Sequence, residues 1–131
     1  MRAHKVVCVS GYFDPIHAGY IEYLKDAKAL GDKLVVILNR DCQRPHYRFH
    51  LTERDRECIL RSIRYVDEVV ISVDSDESVC KTLELVRPAI FARGASASGD
   101  EIQTCKDCGI HIVTNVGPNI HLANVMYELR P

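Results

Sequence analysis

The chain has 131 residues, a formal net charge of −1 and an isoelectric point of about 6.6. Its 47% of apolar and 27% of charged residues are typical of one globular domain and exclude a disordered chain. The absence of a basic excess argues against a nucleic-acid partner, and no apolar run reaches the roughly 18 residues of a membrane span. Because the N-terminus also lacks the apolar stretch of a signal peptide, we expect a soluble cytoplasmic protein.

Short apolar segments rich in β-branched residues alternate along the chain with segments of helical periodicity. Residues 5–10 predict a buried strand, and residues 17–30 predict a helix with Gly31 as its C-cap. Residues 33–39 predict a second buried strand. The following residues, 40–51, lack a clear period and predict a loop rich in cationic and aromatic side chains.

The middle of the chain continues this alternation. Thr52 is the expected N-cap of a second helix. Residues 67–72 predict a third strand, and Asp76 or Ser78 is the expected cap of a third helix. The residues that should point inward on the second helix are Ile59, Leu60 and Ile63. Those on the third helix are Val79, Leu83 and Val86.

The last third of the chain predicts two more strands. The third helix should end at Arg87-Pro88, and residues 89–92 should form the fourth strand. After the small polar loop "ASASGD", residues 100–108 predict a fourth helix and residues 110–113 a fifth strand. A turn and a last helix are expected at 115–119 and at about 120–129.

Five short buried strands alternating with helices predict a single α/β domain over residues 1–131, with a Rossmann-like, doubly wound parallel sheet. In such folds the ligand lies outside the carboxyl ends of the strands, where the strand order reverses. The loops at that edge are 11–16, 40–51, 73–76, 93–100 and 114–119.

The turn between the first strand and the first helix carries the strongest functional signal. Gly11 allows a ligand to approach the backbone, and a helix N-terminus offers unpaired N–H groups to phosphate. His17 adds a side-chain donor at the same place. The alternative is that His17 caps the helix and that Gly11 is required for steric reasons.

Six cysteines are present, and we interpret all of them as thiols because no secretory signal is seen. "CKDC" at 105–108 is the one close pair. A redox or zinc role is one interpretation of that pair; two positions on one face of a short helix is the other.

The stretch "GYFDPIHAGYIEYLKDAKALGD" resembles the opening of the cytidylyltransferase-like nucleotidyltransferases, whose motif is G-x-F-D-x-x-H-x-G-H followed by a helix ending in "LGD". The stretch "RECILRSIRYVDEVVIS" is similar to the family's second block. Further similarity at "RPAIFARG" and "CGIHIVTNVG" extends the resemblance over nearly the whole chain.

This resemblance implies a reaction. A phosphate on a small alcohol or sugar attacks the α-phosphate of a nucleoside triphosphate, CTP or ATP, and pyrophosphate leaves, with Mg²⁺ accompanying the triphosphate. Catalysis would consist of positioning and charge stabilisation. Relatives of this length also lead us to expect a homodimer.

The resemblance also implies roles for individual residues. His17 would contact the nucleotide phosphates, and Arg56 would lie near the substrate or the phosphates. Asp14 would organise the first turn. The residues expected to line the nucleotide cleft through their backbone are Gly11, Tyr12 and Phe13. Arg64 and Asp67 belong to the second block, where we interpret them as a strand-entry ion pair.

Two departures from the family pattern concern the side chains that would contact phosphate. Tyr20 stands where the family has its second histidine, and tyrosine does not become a cation near neutral pH. The loop after the second strand lacks the lysine of relatives and instead offers Arg44, His46 and Arg48.

Two further departures lie in later loops. After the fourth strand, "GASAS" keeps Gly94 of the family's pattern but not the acidic residue that follows it. Before the expected last helix, the Ser/Thr cluster of relatives is replaced by His121, Leu122, Ala123 and Asn124. Replacement phosphate donors in these loops would be Arg44, Arg48, His46 and His121.

The leading hypothesis is therefore a nucleotidyltransferase with His17, Tyr20 and Arg56 as the catalytic candidates. A nucleotide- or phosphometabolite-binding protein that has lost catalysis is the alternative from another class. A different transfer or hydrolysis chemistry in the same cleft is the third hypothesis. Because function resides in the site, the fold alone does not choose among them.

Overall fold

Strands and helices alternate along residues 4–118, the part of the chain that the computed structural model describes. The strands are β1 (Val6–Gly11), β2 (Lys33–Leu38), β3 (Glu68–Ile71), β4 (Ile90–Ala92) and β5 (His111–Val113). The helices are α1 (Ala18–Lys28), α2 (Glu53–Arg61), α3 (Cys80–Val86) and α4 (Gly99–Cys108), and a short 3₁₀ turn covers Asp41–Gln43. The helix expected at 120–129 lies outside these residues.

All pairings in the sheet are parallel, and the strand order is β3-β2-β1-β4-β5. This arrangement confirms the predicted Rossmann-like, doubly wound five-stranded sheet. The order reverses between β1 and β4, since the chain proceeds from β1 outward to β3 and then returns to the other side of β1.

Each face of the sheet carries two helices because successive strand residues point to opposite faces. Val7 and Val9 of β1 pack in one cluster with α1 and α2, whereas Cys8 between them packs in a second cluster with α3 and α4. In β2, Val36 belongs to the first cluster and Val35 to the second. The continuous apolar runs in the strands thus reflect burial on both faces.

Three expected helix details differ from the structure. Helix α1 ends at Lys28, and Gly31 is required because a Cβ there would lie 2.6 Å from the carbonyl oxygen of Lys5. Ile59, expected to point inward, is 39% exposed. Neither Asp76 nor Ser78 caps α3; the Asp74 carboxylate accepts from the backbone N–H groups of residues 81 and 82, at 2.8 and 3.0 Å.

Two helix ends lie where the sequence predicts them. Thr52 accepts a hydrogen bond from the backbone N–H of Asp55 at 3.1 Å and caps α2. Arg87 adopts the left-handed conformation just after α3. Leu83 on the inward face of α3 is fully buried, as predicted.

Arg64 and Asp67, which were expected to pair with each other at the start of the third strand, bond to other residues. Asp67 pairs with Lys28 at the end of α1 and accepts from the backbone N–H of Leu34 at 2.7 Å. Arg64 instead donates to the hydroxyl of Tyr65 at 3.3 Å. Asp67 therefore joins α1, β2 and the start of β3.

The cysteines are all free, as predicted. Cys105 and Cys108 lie in α4, with the first buried and the second partly buried against the same core. Within residues 4–118, no group of three side chains of the metal-ligating types comes together. No helix in this range is both long and apolar enough to cross a bilayer.

Candidate functional site

A cleft of about 890 Å³ opens at the carboxyl edge of the sheet, where the strand order reverses between β1 and β4. Ser10 and Gly11 at the end of β1 lie at its base, and Asn39 follows β2. Segments 76–78 and 93–98, after β3 and β4, form further walls. The cleft is thus lined from four of the five predicted loops, and residues 114–118 of the fifth do not line it.

The first turn contributes Gly11, Tyr12 and Asp14 to the lining, but Phe13 lies elsewhere. Phe13 has a φ of 52° and is 1% exposed, so its side chain belongs to the core, and the expected contact of its backbone with a nucleotide stays a prediction. A Cβ added at Gly11 would lie 3.2 Å from the Phe13 ring. The small residue at position 11 therefore makes room for Phe13, and its expected role toward a ligand stays a prediction.

His17 is the N-cap of α1. Its Nδ1 accepts a hydrogen bond from the backbone N–H of Gly19 at 3.1 Å, which assigns the proton of the neutral ring to Nε2. The ring packs against Tyr20 with centroids 4.5 Å apart, and Tyr20 lines the cleft. The capping role is therefore observed. His17 itself is not among the residues that line the cleft, and its contact with phosphate stays a prediction.

Tyr20 faces the cleft from the first turn of α1. Its ring also contacts Phe13, with centroids 5.2 Å apart. Tyr20 therefore packs against a neighbouring ring and also lies at the cleft.

Asp14 fastens the first turn to the loop after β2. Its nearly inaccessible carboxylate accepts from the backbone N–H groups of His50 and Leu51, at 2.7 and 2.8 Å. The loop is therefore held at the edge of the cleft by a carboxylate from the turn that follows β1.

Arg56 is fully buried and is not among the residues that line the cleft, so its expected place near the substrate or the phosphates stays a prediction. Its guanidinium donates to the carbonyl oxygens of Tyr12 (2.9 Å) and Leu51 (3.3 Å). It also pairs with Asp41 and lies 4.6 Å from the centroid of the Phe49 ring. Arg56 therefore joins the two loops, and its donors are directed at the protein.

Of the basic side chains predicted in the loop after β2, Arg44 lines the cleft. Its guanidinium lies 4.1 Å from the centroid of the Tyr12 ring, and its Nε donates to the Glu77 carboxylate at 2.5 Å. Arg48 and His46 are exposed and do not line the cleft. His121 lies outside the described residues.

Arg93, which follows β4, was not among the predicted site residues, whereas its neighbour Gly94 was; both line the cleft. Arg93 is half-buried, and its Nη1 donates to the Ser10 hydroxyl at 3.2 Å. Within residues 4–118 its buried Nε has no hydrogen-bond partner and no carboxylate pairs with it. A basic residue directly after a strand at the reversal point was the signal that could have found it.

Asn39 and Tyr12 are two further lining residues with buried polar atoms. Asn39 is 2% exposed, and its Nδ2 donates to the backbone carbonyl of Glu77 at 3.2 Å. Its Oδ1 and the Tyr12 hydroxyl are also buried, and the side chains of Asn39 and Arg44 interact with that hydroxyl. Burial raises the pKa of Tyr12, against the opposing effect of the adjacent Arg44 and Asn39 side chains.

Three of the carboxylates around the cleft are engaged with the protein. Glu77 pairs with Arg44, Asp76 accepts from Ser78, and Glu101 accepts from the backbone N–H of Val79. Residues 4–118 thus provide no cluster of ligands that would hold Mg²⁺ by itself.

A family model described as cytidylyltransferase-like matches residues 8–117. The chain belongs to this family. The resemblance seen in the sequence motifs is therefore confirmed, and the family is one of nucleotidyltransferases.

Two relatives show how widely the similarity extends. The FAD synthase of Pyrococcus horikoshii is 34% identical over 124 residues, which are 92% of this chain and 80% of that protein. The bifunctional protein HldE of Wolinella succinogenes is 32% identical over 105 residues, 77% of this chain. The matched part is only 22% of the length of that HldE.

Solved structures share the fold. The lipopolysaccharide core biosynthesis protein from Thermoplasma volcanium superposes with a TM-score of 0.73 at 28% identity, covering 86% of this chain and 96% of that one. The pantoate-beta-alanine ligase from Francisella tularensis has a TM-score of 0.60 at 16% identity, which shows a common fold alone. It covers 96% of this chain and 71% of the ligase.

Proposed function

We propose that this protein transfers a nucleotidyl group from CTP or ATP to the phosphate of a small phosphorylated alcohol or sugar. An acceptor phosphate oxygen attacks the α-phosphorus and a new P–O bond forms. The bond from the α-phosphorus to the bridging oxygen breaks, and pyrophosphate leaves. The observation that carries this proposal is the Arg93 guanidinium at the strand reversal, half-buried in the cleft without a carboxylate partner in residues 4–118.

Arg93 supplies fixed positive charge where the phosphates would lie. A guanidinium aimed at phosphate oxygens stabilises the charge that develops during transfer, and partial burial strengthens that interaction. His17, with its proton on Nε2, would add a second donor from the start of α1. Mg²⁺ would be part of the bound triphosphate.

Small residues after Arg93 leave room for the nucleoside. Segment 94–98 reads "GASAS" and lines the cleft on the β4 side. The acceptor would then occupy the β2 and β3 side, near Arg44. This division brings the two phosphates together over the ends of β1 and β4, which is the proximity that the transfer requires.

The alternative function is a nucleotide- or phosphometabolite-binding protein without turnover. The observations that favour it are Tyr20 at the position of the family's second histidine and the use of His17 Nδ1 as a helix cap. The expected homodimer and the cytoplasmic location stay predictions under either proposal.

The experiment that tests the proposed function measures the affinity for CTP and ATP with Arg93→Ala and with the exposed Arg54→Ala as a matched control. Loss of a charged donor should weaken nucleotide binding by roughly tenfold or more. The control should bind as the unchanged protein does, with melting temperatures reported for all three. If Arg93→Ala binds nucleotide as tightly as the unchanged protein, the proposed binding of nucleotide in the cleft would be contradicted.

A further inference from the structure

The guanidinium of Arg44, which faces the cleft, is held by an acidic side chain of the same cleft. Its Nε donates to Oε1 of Glu77 at 2.5 Å, and the two residues line the cleft from adjacent loops, after β2 and after β3. A carboxylate offers a guanidinium the same kind of charged oxygen acceptor that a phosphate offers. Glu77 therefore occupies a donor of Arg44 that an oxygen of a bound phosphate would also use.

Two tyrosine rings hold the guanidinium independently of Glu77. The guanidinium carbon of Arg44 lies 4.1 Å from the centroid of the Tyr12 ring and 5.6 Å from that of the Tyr47 ring, and Arg44 also interacts with the Tyr12 hydroxyl. A guanidinium carries five N–H donors, of which one carboxylate uses at most two. Arg44 can thus keep its place on the rings while its anionic partner changes.

The backbone around Glu77 is fastened to the loop after β2. Nδ2 of Asn39 donates to the carbonyl oxygen of Glu77 at 3.2 Å. The side-chain amide of Gln43 donates to the carbonyl oxygens of Asp76 and Ser78, at 2.6 and 3.2 Å. These contacts leave the side chain of Glu77 as the part that can move, so an exchange of partners needs no closure of a loop.

The charges that line the cleft give this pair a direct effect on anions. Two guanidiniums and five carboxylates are among the lining side chains, the carboxylates being those of Asp14, Asp76, Glu77, Asp100 and Glu101. Within residues 4–118, Glu77 is the carboxylate that pairs with one of the two guanidiniums. The two side chains of the pair are 42% and 61% exposed, and an exposed pair is weak. A phosphate with two negative charges can therefore displace Glu77.

We propose that Glu77 is an internal competitor for Arg44, which opposes the binding of phosphate on the β2 and β3 side of the cleft. The inference rests on the proposed function, which puts the acceptor's phosphate near Arg44. Binding is an exchange: the hydrogen bond from Arg44 to Glu77 breaks, one from Arg44 to a phosphate oxygen forms, and the Glu77 carboxylate turns to solvent. No covalent bond changes and no proton moves.

The test follows the binding of n-propyl phosphate, a simple phosphate monoester, to the ¹⁵N-labelled full chain by NMR. Titration gives the dissociation constant, and the Nε–Hε signal of Arg44, assigned by its absence from Arg44→Gln, reports on the partner of that donor. The variants are Glu77→Gln, which keeps the size of the side chain and removes its charge, Arg44→Gln, and the two combined. Glu84→Gln, on the exposed side of α3 and outside the cleft lining, is the matched control.

Glu77→Gln should lower the dissociation constant roughly threefold to tenfold, because phosphate then displaces no carboxylate. Phosphate should shift the Arg44 Nε–Hε signal of the unchanged protein. In Arg44→Gln, the same change at position 77 should bring a gain of less than about twofold, or no binding at all, since it frees no guanidinium. Glu84→Gln should bind as the unchanged protein does, and melting temperatures are compared for all variants.

Four outcomes would overturn the inference. They are unchanged or weaker binding by Glu77→Gln, an equal gain in the Arg44→Gln background, an Arg44 signal that phosphate does not shift, and no binding of phosphate by the unchanged protein or by Glu77→Gln. The second outcome would make Glu77 a general source of repulsion.

The proposed function fails on a different measurement, the affinity for nucleotide and its loss in Arg93→Ala. Phosphate binding that depends on Glu77, without any binding of nucleotide, would contradict the proposed function and leave the competition at Arg44 standing. Normal nucleotide binding together with any of the four outcomes would contradict the competition alone.

Discussion

Tyr20 combines a packing role with a position at the cleft. Its ring contacts both Phe13 and His17, while the side chain lines the cleft from the first turn of α1. His17 and position 20 are three residues apart and so share one face of the helix. An imidazole at position 20 would therefore stand beside His17 and could carry a positive charge near neutral pH, which tyrosine does not.

Tyr20→His should raise turnover of the nucleoside triphosphate by roughly tenfold or more, about 1.4 kcal/mol of transition-state stabilisation. Steady-state pyrophosphate release measures this change, with Tyr20→Phe as the control that keeps the ring and removes the hydroxyl. A fall in activity with Tyr20→His would mean that Tyr20 serves this protein's own acceptor. Intact nucleotide binding without turnover in either form would favour the binding-protein alternative.

At the scale of elements, the loop after β2 forms one wall of the cleft through Arg44 and Tyr47. It is fastened by Asp14 through two backbone N–H groups and by Arg56 through Leu51 and Asp41. With these contacts the loop presents Arg44 to the cleft and leaves Arg48 outside it.

Arg44→Ala should weaken binding of a polyol phosphate to the nucleotide-saturated protein and lower the salt dependence of that binding, because charge attraction at an exposed site is screened by salt. Arg48→Ala is the matched control from the same loop and should change neither. Affinities at about 50 and 300 mM salt measure both effects. Equal responses in the two variants would contradict the division of the loop into a cleft-facing and an outer cation.

Arg56→Ala should lower the free energy of unfolding by about 2–4 kcal/mol. The substitution leaves two carbonyl groups and the Asp41 carboxylate without their buried partner. Urea unfolding measures the loss, and Arg61→Ala, which breaks an exposed pair with Glu57, should cost less than about 1 kcal/mol. A stable Arg56→Ala protein with impaired turnover would contradict this structural role and support a place for Arg56 near the substrate.

The sheet could be predicted because its strands are short apolar runs whose alternate residues are buried on both faces. Other features depend on contacts between segments that are distant in the sequence, and local sequence patterns do not reveal such contacts. Phe13 turns into the core through a left-handed backbone, and Arg56 donates to carbonyls 5 and 44 residues away. Loop 93–100 was predicted at the ligand-facing edge, but Arg93 was not singled out within it, because its place at the reversal point depends on β4 lying beside β1.

At the scale of the whole molecule, Asp67 links α1, β2 and the start of β3 at the edge of the sheet opposite the cleft. Partial burial acts to raise the pKa of its carboxyl, but the hydrogen bonds from Lys28 and from the backbone of Leu34 outweigh burial and lower that pKa. The folded protein therefore holds the Asp67 carboxylate more strongly than the unfolded chain does. This contribution to stability is complete above the unfolded pKa, near 4, and disappears as the pH falls through the folded value.

Asp67→Asn should cost about 1 kcal/mol of unfolding free energy at pH 7, since the pair is partly exposed, and the cost should shrink between about pH 5 and pH 3. Urea unfolding at several pH values measures this difference, with exposed Asp26→Asn as the control. A cost that stays constant down to pH 3 would contradict the assigned sign. Nucleotide affinity should be unchanged at pH 7, because the site lies at the other edge.

The central claim, nucleotidyl transfer in the cleft between β1 and β4, is tested most directly by following the α-phosphate. The protein is incubated with Mg²⁺, α-³²P-labelled CTP or ATP, and polyol or sugar phosphates, and the labelled products are separated. The account predicts a labelled nucleoside diphosphate conjugate and an equal amount of pyrophosphate, both requiring the acceptor and both strongly reduced by Arg93→Ala. Label that stays in the triphosphate with every acceptor, or that appears as nucleoside monophosphate without one, would contradict it.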